Sequence, residues 1–203
     1  MMTVENKLPV MESFLSVQGE GANAGKAAWF IRLAGCDVGC TWCDVKESWD
    51  EKLHPEQTVE ELVDAAVKSK VKNVVVTGGE PTLYNLNPLT EALKKKGFNT
   101  WIETSGTNTI TGVWDWICLS PKKFKEPLHE SLLLAHELKV IVVNKSDLIW
   151  AETMVPKLAS NCELFFQPEW EKRDKSSKLI VEYVKKHPQW RVSIQTHKYL
   201  DIR

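Results

Sequence analysis

The chain has 203 residues, 43% of them hydrophobic, and its 26 Lys and Arg against 27 Asp and Glu leave a net charge of −1. That size suits one domain over residues 1–203 with a sizeable core, and an even charge without an arginine-rich stripe argues against a phosphate-backbone binder, so no nucleic-acid partner is expected. The apolar runs, such as 74–76 and 140–143, fall far short of the roughly 20 residues that span a bilayer, and no basic segment precedes an apolar one at the N-terminus; the expectation is a cytoplasmic protein with no membrane partner.

In chain order, 28–33 reads as a short buried strand ahead of a cysteine-rich loop. Thr58-x-x-Glu61 is a capping box, and Val59, Leu62, Val63 and Ala66 follow at helical spacing. The β-branched run 74–77 predicts a strand that meets a turn at Gly78-Gly79. A helix over 89–96 stops at Gly97, and strands follow at 98–104, 114–119 and 138–143. Asp147 is expected to cap a helix running to about 158. A strand at 162–166, a helix at 176–186 and a last strand at 191–195 complete the pattern. Repeated β–α alternation predicts an α/β fold of mostly parallel strands joined by right-handed crossovers. Six or seven strands are too few for a closed eight-unit barrel of about 250 residues, so an incomplete, open βα barrel is expected. The segment 122–127 is the most loop-like interior stretch. In such folds polar residues at the strand ends build the site. Here these are Cys36, Gly78-Gly79-Glu80, the 103–106 run, Ser120-Pro121-Lys122 and Gln167-Pro168.

Five cysteines are present, and three of them fall in the spacing Cys36-x3-Cys40-x2-Cys43. Clustered thiols read as metal binding rather than as a disulfide framework, while Cys118 and Cys162 read as core thiols on strands. Three ligands leave a metal or cluster with an open position. A structural zinc site takes four ligands, and only His54 is placed to supply the fourth; iron–sulfur clusters are the other reading.

The cysteine spacing, with Trp42 before the last cysteine, resembles the radical S-adenosylmethionine superfamily. Thr77-Gly78-Gly79-Glu80-Pro81 resembles that superfamily's glycine-rich motif, where backbone carbonyls with Glu80 close by would meet the methionine ammonium. Further segments resemble one family, the 7-carboxy-7-deazaguanine synthases: 16–21, 30–36, 103–107, 119–122 and 195–200. The resemblance implies a [4Fe–4S] cluster on Cys36, Cys40 and Cys43 that cleaves S-adenosylmethionine. It implies a cofactor pocket lined by Trp42, Asp44, Gly78, Gly79, Glu80, Ser105, Ser120, Pro121, Lys122, Gln167 and Pro168. It implies contacts to a 6-carboxytetrahydropterin from Val17, Gln18, Gly19, Glu20, Arg32 and Thr77, with Arg32 offering a rigid fork to a carboxylate. The pterin would be contracted to 7-carboxy-7-deazaguanine with loss of ammonia, on the route to queuosine. A flavodoxin-type electron donor and a homodimer belong to the same implication. His197 reads as a packing residue.

The chain departs from the family at Val45. Many members carry Thr or Ser there, whose hydroxyl helps hold Mg2+, a hard cation that needs oxygen donors. Val45 has none, so magnesium binds through other groups, binds weakly, or gives way to a cation such as Lys46. Two other readings stay open on the residues: a radical activase acting on a partner protein, and a zinc-stabilised binding module.

Overall fold

The computed structural model describes residues 6–203, and nine strands in it form one sheet. Strand β1 (Lys7–Val17) pairs antiparallel with β2 (Ala27–Leu33) and, through residues 7–9, with the short β3 (Glu56–Thr58). From β2 onward the sheet runs parallel through β4 (Asn73–Gly78), β5 (Asn99–Thr104), β6 (Trp116–Leu119), β7 (Glu137–Val142), β8 (Glu163–Pro168) and β9 (Trp190–Val192). The helices are α1 (Val59–Ser69), α2 (Asn87–Lys95), α3 (His129–Leu134), α4 (Lys145–Glu152), α5 (Arg173–Val184) and α6 (Thr196–Leu200). The order β3-β1-β2-β4-β5-β6-β7-β8-β9 is an open parallel sheet with an antiparallel edge, the expected incomplete barrel. No helix among the described residues is long and apolar enough to cross a membrane.

Strand parity separates structure from site. Successive side chains on a strand point to opposite faces. On one face Ile31, Leu33, Val74, Val76 and Ile102 pack with Leu62, Val63, Leu89 and Leu93 of α1 and α2. Further along, Leu138, Val140, Val142, Leu164 and Phe166 pack with Leu148, Ile180 and Trp190. The opposite face starts apolar, with Ala28, Phe30, Val75 and Trp101, and turns polar toward the strand ends. Two residues beyond these along the strands come Arg32, Thr77 and Glu103, and Cys118, Glu137, Lys139 and Gln167 occupy the same face of later strands. The polar residues therefore line the barrel interior.

The capping box at Thr58 forms in both directions with Glu61, and Gly97, at φ +79°, stops the chain after α2. Several boundaries differ from expectation: α5 spans Arg173–Val184 rather than 176–186, β8 spans Glu163–Pro168 rather than 162–166, and β6 starts at Trp116 rather than 114. Asn144, not Asp147, caps α4, and Asp147 is the reciprocal member of that box; the helix ends at Glu152, and the segment around Pro156 is a separate short 3-10 turn. The last strand is Trp190–Val192 rather than 191–195, with Ser193 N–H still donating to Phe166 O at 2.8 Å just beyond it. Strands β1 and β3 were not expected as strands, nor α3 and α6 as helices, and with β1 ahead of it Cys36 follows the second strand rather than the first. Cys118 is a buried thiol on β6 as expected, whereas Cys162 is half-buried just ahead of β8.

Candidate active site

The cysteine loop leaves β2 and returns against the glycine loop that ends β4. Gly79 N–H donates to Leu33 O at 3.0 Å and Glu80 N–H to Gly35 O at 2.8 Å. The approach is so close that a Cβ on Gly79 would lie 2.2 Å from Gly35 O and 2.9 Å from Cys36 Cβ. Cys36, Cys40 and Cys43 are free, partly buried thiols on one cavity of about 250 Å³. Burial pushes the Cys40 thiol up, the other two thiols add to this, and Lys122 opposes it. Val45 N–H points at Cys43 Sγ at 3.4 Å. Lys125 ties the loop down through Asp37 at 2.7 Å, and Trp42 packs edge-on against Phe124 at 5.7 Å.

Glu80 is 1% exposed, and both its oxygens are engaged. Oε1 accepts from Thr82 N, Thr82 Oγ1 and Thr104 Oγ1; Oε2 accepts from Ser105 N and Ser105 Oγ. Glu80, expected close to the backbone carbonyls that would meet an ammonium, is a buried hub that pins the ends of β4 and β5 together. Beyond it, Lys122 folds back onto Ser120, with Nζ 3.0 Å from Oγ, and burial pulls its pKa down.

A second cavity of about 180 Å³ adjoins the first, the two sharing Glu20, Arg32, Asp44, Val45, Glu103 and Gln195. Between them lies a charged network. Lys139 Nζ, on a side chain 3% exposed, donates to Glu20 Oε2 at 2.6 Å and Glu103 Oε2 at 2.8 Å. Gln18 Nε2 reaches Glu103 Oε1 at 3.0 Å, and Gln195 Nε2 bridges Glu20 Oε1 and Asp44 Oδ2, each at 3.0 Å. Burial opposes the Glu20 charge, but the Lys139 ammonium outweighs it and holds the carboxyl at about 2. Burial likewise opposes the Lys139 charge, yet the surrounding acids push its pKa well above the usual lysine range. Burial, with Glu103 beside it, pushes the Glu137 carboxyl up; Glu137 accepts from Ala22 N at 3.0 Å and Trp116 Nε1 at 3.1 Å.

The chain's last residues bridge the open side of the barrel. Thr196 donates to Gly19 O through both N (2.9 Å) and Oγ1 (2.8 Å). Ser193 Oγ receives Gly21 N–H at 2.9 Å and donates to Gln167 Oε1 at 2.7 Å. His197 lies against Gly19, where a Cβ would sit 2.2 Å from its Nδ1, and burial pulls its pKa down. Lys198 Nζ pairs with Asp44 Oδ2 at 2.8 Å. Arg32 is held through Nε by Glu12 Oε1 at 2.9 Å.

Of the residues expected at a cofactor site, Trp42, Asp44, Gly78, Gly79, Glu80 and Ser105 line the first cavity, as do Ser120, Lys122, Gln167 and Pro168. Pro121 is buried beside them without lining it. Of the residues expected at a substrate site, Val17, Gln18, Glu20, Arg32 and Thr77 line the second, while Gly19 backs onto His197. Lys139 received no role from the sequence, and Glu103, Gln195 and Lys198 entered only as parts of the 103–106 and 195–200 segments, without individual roles. Lys139, like Arg32, is a charge inside an apolar strand. His54 gives its Nε2 to Glu47 O at 2.7 Å, and no three His, Cys, Asp or Glu groups among the described residues gather around a single-ion site. That is unlike the closed four-ligand set of structural zinc. The three thiols along a wider opening fit a cluster, which takes thiolate ligands.

The radical SAM superfamily profile matches residues 30–119. The 7-carboxy-7-deazaguanine synthase of Flavobacterium psychrophilum is 53% identical over 195 residues, covering 96% of this chain and 92% of that protein. The enzymes of the same name from Synechocystis and Escherichia coli K12 are 50% and 35% identical, each over 96% of this chain and over 93% and 98% of their own lengths. The crystal structure of QueE from Escherichia coli superposes with a TM-score of 0.84 at 31% identity, over 93% of this chain and 94% of that one. Radical SAM enzymes carry a [4Fe–4S] cluster and bind S-adenosylmethionine. With this identity spread along nearly its whole length, the chain belongs to the 7-carboxy-7-deazaguanine synthase family of radical SAM enzymes.

Proposed function

We propose that this chain converts 6-carboxy-5,6,7,8-tetrahydropterin to 7-carboxy-7-deazaguanine with loss of ammonia. The observation that carries the reading is the junction of two cavities, one opening on three free thiols and the other on Arg32, Gln18 and Glu20. When bound, the reduced cluster on Cys36, Cys40 and Cys43 supplies the electron that cleaves S-adenosylmethionine. The protein's part is orientation and exclusion of water. Backbone groups of Gly78 and Gly79, with Ser105, Ser120, Lys122, Gln167 and Pro168, hold the cofactor, and Glu80 acts at one remove by fixing that loop. Arg32, held at Nε by Glu12, offers its terminal nitrogens to the substrate carboxylate. Gln18, Glu20 and Thr77 face the pterin ring. A flavodoxin-type one-electron donor and a homodimeric assembly belong to the same proposal. Anaerobic incubation of the reduced holoenzyme with S-adenosylmethionine and the carboxypterin should yield the deazaguanine. Formation of 5′-deoxyadenosine without it would remove the substrate claim and leave the superfamily chemistry.

Magnesium does not fit this chain's side chains. Val45 has no oxygen, and Asp44 Oδ2 already receives both Gln195 and Lys198. Lys46 lies exposed on a 3-10 turn; the ammonium beside Asp44 is that of Lys198. Turnover is therefore expected to change by less than about twofold between excess chelator and added Mg2+, because Val45 supplies no oxygen donor and Asp44 is already paired through Oδ2. A strict requirement for Mg2+ in that assay would refute this.

A further inference from the structure

The buried lysine of β7 is unexplained by cofactor binding or by the contacts proposed for the pterin, and its partners come from distant parts of the chain. Glu20 lies in the loop after β1 and Glu103 near the end of β5. Their carboxylates reach Lys139 Nζ at 2.6 and 2.8 Å, and both residues line both cavities. Gln195 and Gln18 take the second oxygen of each. A carboxylate has about four lone-pair sites, so each retains acceptor capacity toward the cavities. Glu137, two residues before Lys139 on the same strand face, receives Ala22 N–H and so draws the same loop onto β7. The other charged or titratable groups around the network among the described residues are Arg32, Cys118, Asp44, Lys198, His197 and Lys122.

A buried ammonium among acids is commonly a structural ion pair. Its placement here argues for more. Both partners are exposed only in part (18% and 22%), and both border the space where the two cavities join. A 2-amino-4-oxo pyrimidine edge presents adjacent N–H donors, which match a fixed carboxylate, whereas a 2,4-dioxo edge turns a carbonyl toward it.

We infer that Lys139 is a positioning residue for substrate selection, holding Glu20 and Glu103 as fixed acceptors that select a ring bearing the 2-amino group. This rests on the pterin reading above. Lys139 itself borders the first cavity, but its ammonium is given to the two carboxylates, and it acts through them.

The test compares the wild-type holoenzyme with Lys139→Met, Glu103→Gln and the double variant, each first checked for iron content, S-adenosylmethionine affinity and thermal unfolding. Lys139→Met should raise KM for the carboxypterin about 10- to 100-fold, the worth of one hydrogen bond to a charged group, with kcat little changed. Pterin-6-carboxylate and its 2,4-dioxo counterpart, used as competitive inhibitors, should differ in wild-type affinity by about 100-fold, and Lys139→Met should erase most of that difference. The double variant should be little worse than the worse single one, because the lysine acts through the acid. Unchanged KM and discrimination in a folded Lys139→Met enzyme would overturn the inference, as would additive losses in the double variant. If Lys139→Met does not fold, Glu103→Gln decides alone: lost discrimination supports the inference and retained discrimination overturns it. A wild-type enzyme that makes no deazaguanine would instead bring down the pterin reading.

Discussion

Replacing Glu80 with Ala should destabilise the protein by about 3–5 kcal/mol, the range for breaking a buried hydrogen-bonded network. The change strands the N–H groups of Thr82 and Ser105 and the hydroxyls of Thr82, Thr104 and Ser105, all now accepted by one carboxyl. An unsatisfied buried donor costs about 1–3 kcal/mol, and hydroxyls recover part of that by rotating or by taking a water. For a chain of this size the loss corresponds to a fall in Tm of about 10 °C or more. Glu80→Gln keeps the volume but turns an amide N–H toward one set of donors, so it should fall between wild type and Glu80→Ala. Anaerobic thermal or urea unfolding of the two variants measures this. A loss below about 1 kcal/mol in Glu80→Ala would mean that the hub is dispensable. The same substitution should weaken S-adenosylmethionine binding, because the hub joins the glycine loop to the Ser105 loop on the first cavity.

Gly79→Ala should lower turnover about 100-fold, the scale set by an ångström-sized misplacement of reacting groups. The obstacle is space: the added carbon would stand 2.2 Å from Gly35 O and 2.7 Å from Gly35 C, both backbone atoms. Backbone cannot swing aside as a side chain can, so the glycine loop and the start of the cysteine loop must part, and Cys36 moves with them. Gly39→Ala is the matching control. Gly39 lies in the same loop at φ +71° with nothing within 4 Å of an added Cβ. It should cost only the left-handed backbone strain of about 1–2 kcal/mol, with turnover near wild type once folded. Turnover, iron content and S-adenosylmethionine affinity of the pair separate crowding from flexibility. Equal losses in both would show that loop flexibility, not the close approach, is what the glycines provide.

The contrast between these variants runs through the whole molecule. Gly78 and Gly79 stand out in the sequence because two glycines end a β-branched run, but what each excludes becomes visible only when Leu33 and Gly35 lie against them. Glu80 shows the opposite case. Next to two glycines it reads as a carboxylate near an ammonium site, and the fold spends both its oxygens on Thr82, Thr104 and Ser105. Sequence distance hides this, since Ser105 is 25 positions away from Glu80 and the two meet only through the parallel pairing of β4 with β5.

The cluster loop, the glycine loop, the alternation of strands and helices and the family are all legible along the sequence. Those signals are local: ligand spacing, turn chemistry, caps and short hydrophobic periods act over a few residues. It missed β1 as a strand because the run 7–17 mixes polar and apolar positions and finds its pairing only across β2 and β3. It passed over Lys139, although a charge in an apolar strand was legible there as it was at Arg32. The tertiary structure alone decided which acids that lysine meets. Strand parity turns Lys139 inward, but the curvature of the sheet and the closing segment at 193–198 bring Glu20, Glu103, Gln195 and Asp44 around the same space. Long-range electrostatic partners depend on how the chain closes in three dimensions, and no local pattern encodes that.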